Sequence, residues 1–223
     1  GCSKEGCETV LFGGSYGGML VAWFRLKYPH LSVGGVAASA PVDFWPGENK
    51  QKAFFNATMN TFEKFGGAEN CSKKIEQALD EIVQLSQTAN GRQRLQDIFH
   101  TCSSLPAADR FGEKLQFYLK GGLATMAMLD YPYQCGFVSE MPANPVQVAC
   151  KRMMNASSAI EGLHDAVGVF TNFTGSLACA DVEAELVFGP GRHLHSVRKA
   201  NREGLGSIER PWNYQACTEL ILE

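Results

Sequence analysis

Residues 13–17 (GGSYG) place a serine between glycines in the order Gly-x-Ser-x-Gly. A serine hydroxyl can act as a nucleophile when a sharp turn between a strand and a helix exposes it. Such a turn brings positions 13 and 17 close to neighbouring backbone. We therefore expect that neither position has room for a Cβ, which explains Gly13 and Gly17. The pattern therefore predicts Ser15 as a nucleophile, and it predicts the backbone N–H of Tyr16 as a donor to the oxyanion.

The flanking sequence predicts the elements that this turn requires. Residues 9–12 (TVLF) are typical of a short buried strand, and residues 19–28 (MLVAWFRLKY) are typical of a buried helix that Pro29 ends. Residues 33–40 (VGGVAASA) fit a second strand. A helix between two strands favours a parallel pair, so we expect Ser15 at the carboxyl end of the first strand.

The apolar spacing becomes helical after about residue 51. Ile75, Leu79, Ile82 and Val83 predict an amphipathic helix over 72–87. Residues 123–129 form a compact apolar segment, and residues 188–211 read as a polar loop. No strand pattern or repeat is evident from 51 to 180. Further helices are predicted around 95–99, 111–119, 146–154 and 157–170.

A nucleophilic serine also needs a base and an acid that orients the base. His30 follows the first helix, whereas His100 and His164 fall on predicted helices where a polar-face position is expected. Asp181 and His193 have the right chain order to complete a triad, although no strand pattern supports that alternative.

Metal and cofactor chemistry has little support in the sequence. His193 and His195 could form a metal pair, but no third ligand is evident. We therefore expect neither a metal nor a cofactor.

The strand before such a serine usually lies inside a large sheet, yet only about eight residues precede that strand here. This predicts that the chain is an interior piece of a longer enzyme.

Charge and composition indicate a globular protein rather than a nucleic-acid or membrane binder. The net charge is −3, the 20 Lys and Arg residues are scattered, and 45% of residues are hydrophobic. No apolar run reaches the length of a membrane span, and no signal-peptide pattern is visible at the start.

Cysteines and glycosylation triplets indicate an oxidising compartment. The eight cysteines include no Cys-x2-Cys pair, so their wide spacing favours disulfides over a metal site. We expect a lysosomal, other vesicular or secreted location. Four Asn-x-Ser/Thr triplets are candidate glycosylation sites: Asn56, Asn70, Asn155 and Asn172.

Longer blocks of this sequence resemble the prolyl carboxypeptidase and dipeptidyl peptidase II family of lysosomal serine peptidases. PANPV and TGSLAC, together with the FGG before the serine, resemble dipeptidyl peptidase II more closely. The blocks occur in family order, as GGSYGGMLVAWFRLKYPH (13–30), AASAPV (37–42), MAMLDYPY (126–133), MPANPVQVAC (141–150) and WNYQACTE (212–219).

The resemblance implies an α/β-hydrolase fold, here with a partial sheet and a large inserted helical cap. Residues 1–45 would be a partial core that carries the serine turn. Residues 46–211 would be the cap, and residues 212–223 would return to the core. Ser15 would be the nucleophile. The family's catalytic Asp and His lie beyond Glu223, so we expect this chain alone to be inactive.

The activity that the resemblance implies is cleavage after proline or alanine near a peptide terminus. Release of N-terminal X-Pro or X-Ala dipeptides is expected, with C-terminal Pro-X cleavage as the alternative. A cap explains trimming of termini because it closes one end of the cleft. Peptide substrates are the expected partners, and a homodimer is compatible with the resemblance. Another α/β-hydrolase, such as a lipase or esterase, and a non-catalytic glycoprotein stay as alternatives.

The resemblance also implies two disulfides, Cys71–Cys150 and Cys102–Cys179. Cys217 would pair with a cysteine beyond residue 223, whereas Cys2, Cys7 and Cys135 have no assigned counterpart. Residues 188–211 depart from the family pattern, and we assign no substrate-anchoring role to the nearest acids, Glu203 and Glu209.

Overall fold

The computed structural model describes residues 6–42, 53–102, 111–136 and 138–182. They form two compact units, one that contains residues 6–42 and one that contains residues 53–182. Among the described helices, none is both long enough and apolar enough to cross a bilayer.

The first unit is a strand–helix–strand motif. Strand β1 (Val10–Gly14) lies parallel to strand β2 (Gly34–Ala38), in a register that pairs Val10 with Gly34 and Gly14 with Ala38. Helix α1 (Tyr16–Lys27) and a 3-10 turn (Pro29–Leu31) connect the strands. Parallel neighbours require such a crossover, so the predicted arrangement of these elements is confirmed.

Helix α1 packs closely on one face of the sheet. Val21 of α1 is buried there. A Cβ on Gly35 would lie 2.6 Å from Val21 Cγ1, so glycine at this position allows the close approach. The Arg25 guanidinium donates to Pro29 O at 2.9 Å and to Ser32 O, which ties the end of α1 to the chain entering β2.

The described side chains on the opposite face of the sheet are exposed. Phe12 is 75% exposed, and its neighbours Val10 and Val36 are also exposed. Parallel sheets are normally covered on both faces. Two strands and one helix therefore leave an apolar face that further structure would be needed to bury.

The second unit is helical. A hydrogen bond caps the helix over Ala89–Phe99, where the Thr88 hydroxyl accepts from Gly91 N–H, and another caps the helix over Ala159–Thr171, where the Ser158 hydroxyl accepts from Glu161 N–H. The helices are α2 (Ala53–Phe65), α3 (Cys71–Ser86), α4 (Ala89–Phe99), α5 (Phe111–Met128), α6 (Pro145–Asn155) and α7 (Ala159–Thr171).

All six helices contribute side chains to one apolar core. Fully buried members from successive helices are Phe62, Ile75, Leu95, Leu119, Met153 and Leu163. Between helices, the described residues show isolated bridges, Thr101 with Ala180 and Cys135 with Met141, in place of strands.

Two disulfides tie distant parts of this unit together. Cys71 pairs with Cys150 inside the core, and Cys102 pairs with Cys179 at the segment after α7. These are the pairs that the resemblance implies. Cys7 is also disulfide-bonded, whereas Cys135 is a half-buried free thiol.

Two helices differ from the sequence-based expectations. Helix α2 was not predicted, because its Asn and Thr residues have weak helix propensity; burial of Met59 and Phe62 stabilises it instead. Helix α5 continues through residues 123–128, where a separate apolar segment was expected. Gly122 permits this, since a Cβ there would lie 2.9 Å from Val167 Cγ1 of α7.

Candidate active site

Ser15 occupies the single residue between β1 and α1, in a backbone conformation that L-residues rarely adopt. Its φ is 53° and its ψ is −125°. Holding a non-glycine residue in such a region costs about 1–3 kcal/mol and is frequent at active sites. The surrounding structure must therefore enforce the conformation.

Backbone hydrogen bonds on both sides fix this residue. Ser15 N–H donates to Ala38 O of β2 at 3.0 Å, and Ser15 O accepts from Met19 N–H at 3.1 Å. The first bond joins the turn to the neighbouring strand, and the second joins it to α1. Ser15 is thus held between two elements that are themselves packed together.

The Ser15 hydroxyl is available for chemistry. A serine that precedes a helix commonly accepts a hydrogen bond from an amide of the first turn. The Ser15 side chain makes no such cap bond, and Ser15 is exposed. Within residues 6–42, its Oγ has no hydrogen-bond partner. The turn therefore presents the hydroxyl instead of using it to cap α1.

Gly13 is a glycine because of crowding. A Cβ there would lie 2.2 Å from Gly17 O and 2.9 Å from Gly18 N, both backbone atoms of the first turn of α1. No side chain can be accommodated without moving the helix. This part of the expectation drawn from Gly-x-Ser-x-Gly is confirmed.

The expectation that Gly17 is crowded in the same way is wrong. A Cβ on Gly17 would meet no atom within 4 Å, whereas a Cβ on Gly18 would lie 2.9 Å from both Ala38 O and Ala40 Cβ. The reason is helical geometry, because Gly18 faces β2 and Gly17 does not. No local pattern in the sequence marks Gly18, since its close neighbours come from the far end of β2.

Tyr16 begins α1, directly after the serine. Met19 N–H makes the first backbone bond of the helix, so the amides of residues 16–18 lie at its amino end, where the helix dipole is positive. Ser15 N–H is already bound to Ala38 O. Donation from Tyr16 N–H to an oxyanion stays a prediction, and it is consistent with this arrangement.

Among the described residues, one histidine lies in the first unit, at the end of α1 that is farther from the turn, and two lie in the helical unit. His30 is beyond the far end of α1, which is about 18 Å long at 1.5 Å per residue. His100 and His164 lie in the helical unit with ring centroids 5.8 Å apart, and His164 Nδ1 is 3.1 Å from Asp165 Oδ1.

Other candidate partners are only partly described. Asp181 lies within the described residues, whereas His193 and His195 lie outside them. The alternative triad and the metal pair therefore stay untested. Among the described residues, no group of three or more His, Cys, Asp and Glu side chains could hold a metal ion.

The four glycosylation candidates differ in their surroundings. Asn56, Asn70 and Asn155 are exposed. Asn172 is half-buried, donates from Nδ2 to Leu177 O at 2.9 Å and accepts from Leu177 N–H at 3.0 Å. Its amide thus also closes a loop, and glycan attachment at any of the four stays a prediction.

Comparison with known proteins places the turn in a family. The family model described as serine carboxypeptidase S28 matches residues 3–222. The chain is 34% identical to lysosomal Pro-X carboxypeptidase from Homo sapiens over 224 residues, which are 98% of this chain and 40% of that protein. The identity to the protein of the same name from Mus musculus is also 34%, over 98% of this chain and 41% of that protein.

A third relative is prolyl carboxy peptidase like protein 5 from Caenorhabditis elegans, which is 32% identical over 96% of this chain and 40% of that protein. The chain thus spans about two fifths of the length of the curated relatives it matches. Because the family model covers almost the whole sequence, and the serine turn has the geometry described above, the chain belongs to the serine carboxypeptidase S28 family of serine peptidases.

Proposed function

We propose that Ser15 is the nucleophile of a serine exopeptidase that cleaves after proline or alanine near a peptide terminus. The observation that carries the proposal is the conformation of Ser15, which is held at positive φ by Ala38 and Met19 while its hydroxyl stays unbonded within residues 6–42.

The reaction is acyl transfer. Ser15 Oγ attacks the carbonyl carbon of the scissile bond and passes its proton to a histidine base, while Tyr16 N–H donates to the oxyanion. Collapse of the tetrahedral intermediate breaks the C–N bond, and the leaving amine takes the proton. Water then hydrolyses the acyl ester on Ser15, which regenerates the hydroxyl.

We place the base and its orienting acid in a complete protein that is longer than this chain. The short coverage of the relatives supports this, and so do the exposed apolar side chains around Phe12, a face of the sheet that further helices would bury. In this proposal residues 1–45 and 212–223 belong to an α/β-hydrolase core, and residues 46–211 form its helical cap.

We consider two alternatives for the end of the peptide that is trimmed. The PANPV and TGSLAC blocks favour release of N-terminal X-Pro or X-Ala dipeptides. The mammalian relatives are lysosomal Pro-X carboxypeptidases, and this favours removal of a C-terminal residue after proline. Their names, together with two disulfides in the helical unit, also support a lysosomal or secreted location for this protein.

Two kinds of substrate, one with a free N-terminus and a blocked C-terminus and the other with the reverse, test the proposal on the complete protein. An unblocked X-Pro or X-Ala anilide reports release of dipeptides, and an N-blocked X-Pro-Phe peptide reports removal of the C-terminal residue. Hydrolysis of either, lost in Ser15→Ala, supports the peptidase. Turnover of acyl esters alone would indicate another hydrolase, and no turnover of any substrate would favour a non-catalytic glycoprotein.

A further inference from the structure

A second serine in the first unit also has a positive φ. Ser39 follows β2 with a φ of 48°, and Ser15 and Ser39 are the non-glycine residues of the 6–42 segment at positive φ. Glycine and asparagine adopt this region most readily, and serine does so at a cost. Ser39 is therefore in an enforced conformation, as Ser15 is.

The two serines leave their strands side by side. Gly14 and Ala38 are the last paired residues of β1 and β2, so Ser15 and Ser39 are the next residue of each chain at the carboxyl edge of the sheet. Ligands of parallel α/β sheets bind beyond this edge. The conformation of Ser39 thus occurs where it can influence the nucleophile.

The neighbours of Ser39 contact the serine turn from two sides. Ala38 O accepts the Ser15 N–H at 3.0 Å, and the Cβ of Ala40 lies 2.9 Å from the position that a Cβ on Gly18 would take. Val42 N–H donates to Ala40 O at 2.9 Å, which closes a tight turn after Ser39. An extended residue at 39 would continue the strand and carry Ala40 away from α1.

We propose that Ser39 is a positioning residue for Ser15. Its left-handed turn keeps Ala38 O on the Ser15 amide and Ala40 against the start of α1, and this fixes the direction in which Ser15 Oγ projects. The inference rests on the proposed role of Ser15 as nucleophile. The Ser39 hydroxyl is exposed and makes no hydrogen bond within residues 6–42, so the backbone carries this role.

Substitutions at position 39 separate the backbone from the hydroxyl. Ser39→Asn and Ser39→Gly remove the hydroxyl but tolerate a left-handed backbone, whereas Ser39→Thr keeps the hydroxyl and disfavours that backbone through its branched Cβ. In the complete protein, we expect Ser39→Thr to lower kcat and the rate of fluorophosphonate labelling about ten- to a hundredfold, with KM little changed. Ser39→Asn and Ser39→Gly should stay within about twofold of wild type.

The opposite order of the variants overturns the proposal. Activity kept in Ser39→Thr and lost in Ser39→Asn and Ser39→Gly would assign the function to the hydroxyl. If Ser39→Thr does not fold, the other two variants still decide, because loss of activity in both contradicts a backbone role.

Hydrogen exchange of the Ser15 amide tests the positioning without any activity. Exchange should be faster in Ser39→Thr and unchanged in Ser39→Asn, because only the former disturbs the bond to Ala38 O. Equal exchange in all variants refutes the proposal. Failure of the proposed peptidase function would be seen separately, as unlabelled Ser15 in the wild-type protein.

Discussion

Replacing Gly13 with alanine would put a Cβ against the first turn of α1. That atom would lie 2.2 Å from Gly17 O, 2.4 Å from Gly17 C and 2.9 Å from Gly18 N. All three are backbone atoms, so rotation of a side chain cannot relieve the clash. Relief to an ordinary contact of about 3.5 Å requires the start of α1 to move by about 1 Å relative to β1.

The size of the effect follows from that displacement. Overpacking of this kind costs about 1–3 kcal/mol in the free energy of unfolding. Because Ser15 lies between the two elements that must separate, its hydroxyl moves as well, and a 1 Å misplacement at a catalytic group can lower the rate about a hundredfold. We expect Gly13→Ala to lose both stability and reactivity.

Gly17→Ala is the matched control from the same motif. Its Cβ would meet no atom within 4 Å, and alanine in a helix is about 0.5–1 kcal/mol more favourable than glycine. Thermal unfolding and the rate of fluorophosphonate labelling, measured on both variants of the complete protein, decide the matter. Equal losses in the two variants, or normal labelling of Gly13→Ala, would refute the geometric reasoning.

Two further predictions concern the helical unit. Replacing Cys71 and Cys150 together with alanine should lower the free energy of unfolding by about 2–5 kcal/mol, because the disulfide closes a sequence separation of 79 residues; a denaturation midpoint equal to wild type would contradict this. Burial raises the pKa of Asp130, whose Oδ1 accepts from Val146 N–H at 3.1 Å, so the native state binds this proton more tightly than the unfolded state. The contribution of Asp130 to the free energy of unfolding should therefore fall as pH rises from the ordinary aspartate pKa through the raised pKa. Asp130→Asn, which keeps an acceptor for Val146, should flatten that part of the curve of stability against pH, and an unchanged slope would show that other groups cause it.

The serine turn could be predicted from sequence because its determinants are local. Gly13, Ser15, a β-branched run before them and an apolar helix after them all lie within about twenty residues. The same pattern could not show whether Gly17 or Gly18 is crowded. That depends on Ala38 and Ala40, which approach only after β2 pairs with β1.

In the helical unit too, some helices are indicated by local sequence and others depend on distant contacts. The amphipathic spacing of α3 indicates its helix directly, and the structure places that helix at Cys71–Ser86. Helix α2 has no comparable local signal, since packing of Met59 and Phe62 decides it. The continuity of α5 depends on Gly122 fitting against Val167, which is a contact between distant parts of the chain.

The left-handed conformation of Ser39 has no local signature either. A serine between alanines fits an ordinary strand end, whereas its φ is 48° and the chain turns directly after it, where Val42 N–H donates to Ala40 O. Residues whose conformation depends on two other elements are those that sequence patterns identify least well.

Covalent labelling of the complete protein by a fluorophosphonate, followed by peptide mapping, tests the central claim most directly. The structure exposes Ser15 on a constrained turn with its hydroxyl unbonded within residues 6–42, so a single adduct on Ser15 is predicted. Ser15→Ala should abolish both the adduct and peptide hydrolysis while leaving thermal unfolding close to wild type. An adduct on another residue, or peptide hydrolysis that persists in Ser15→Ala, would contradict the assignment of Ser15 as the nucleophile.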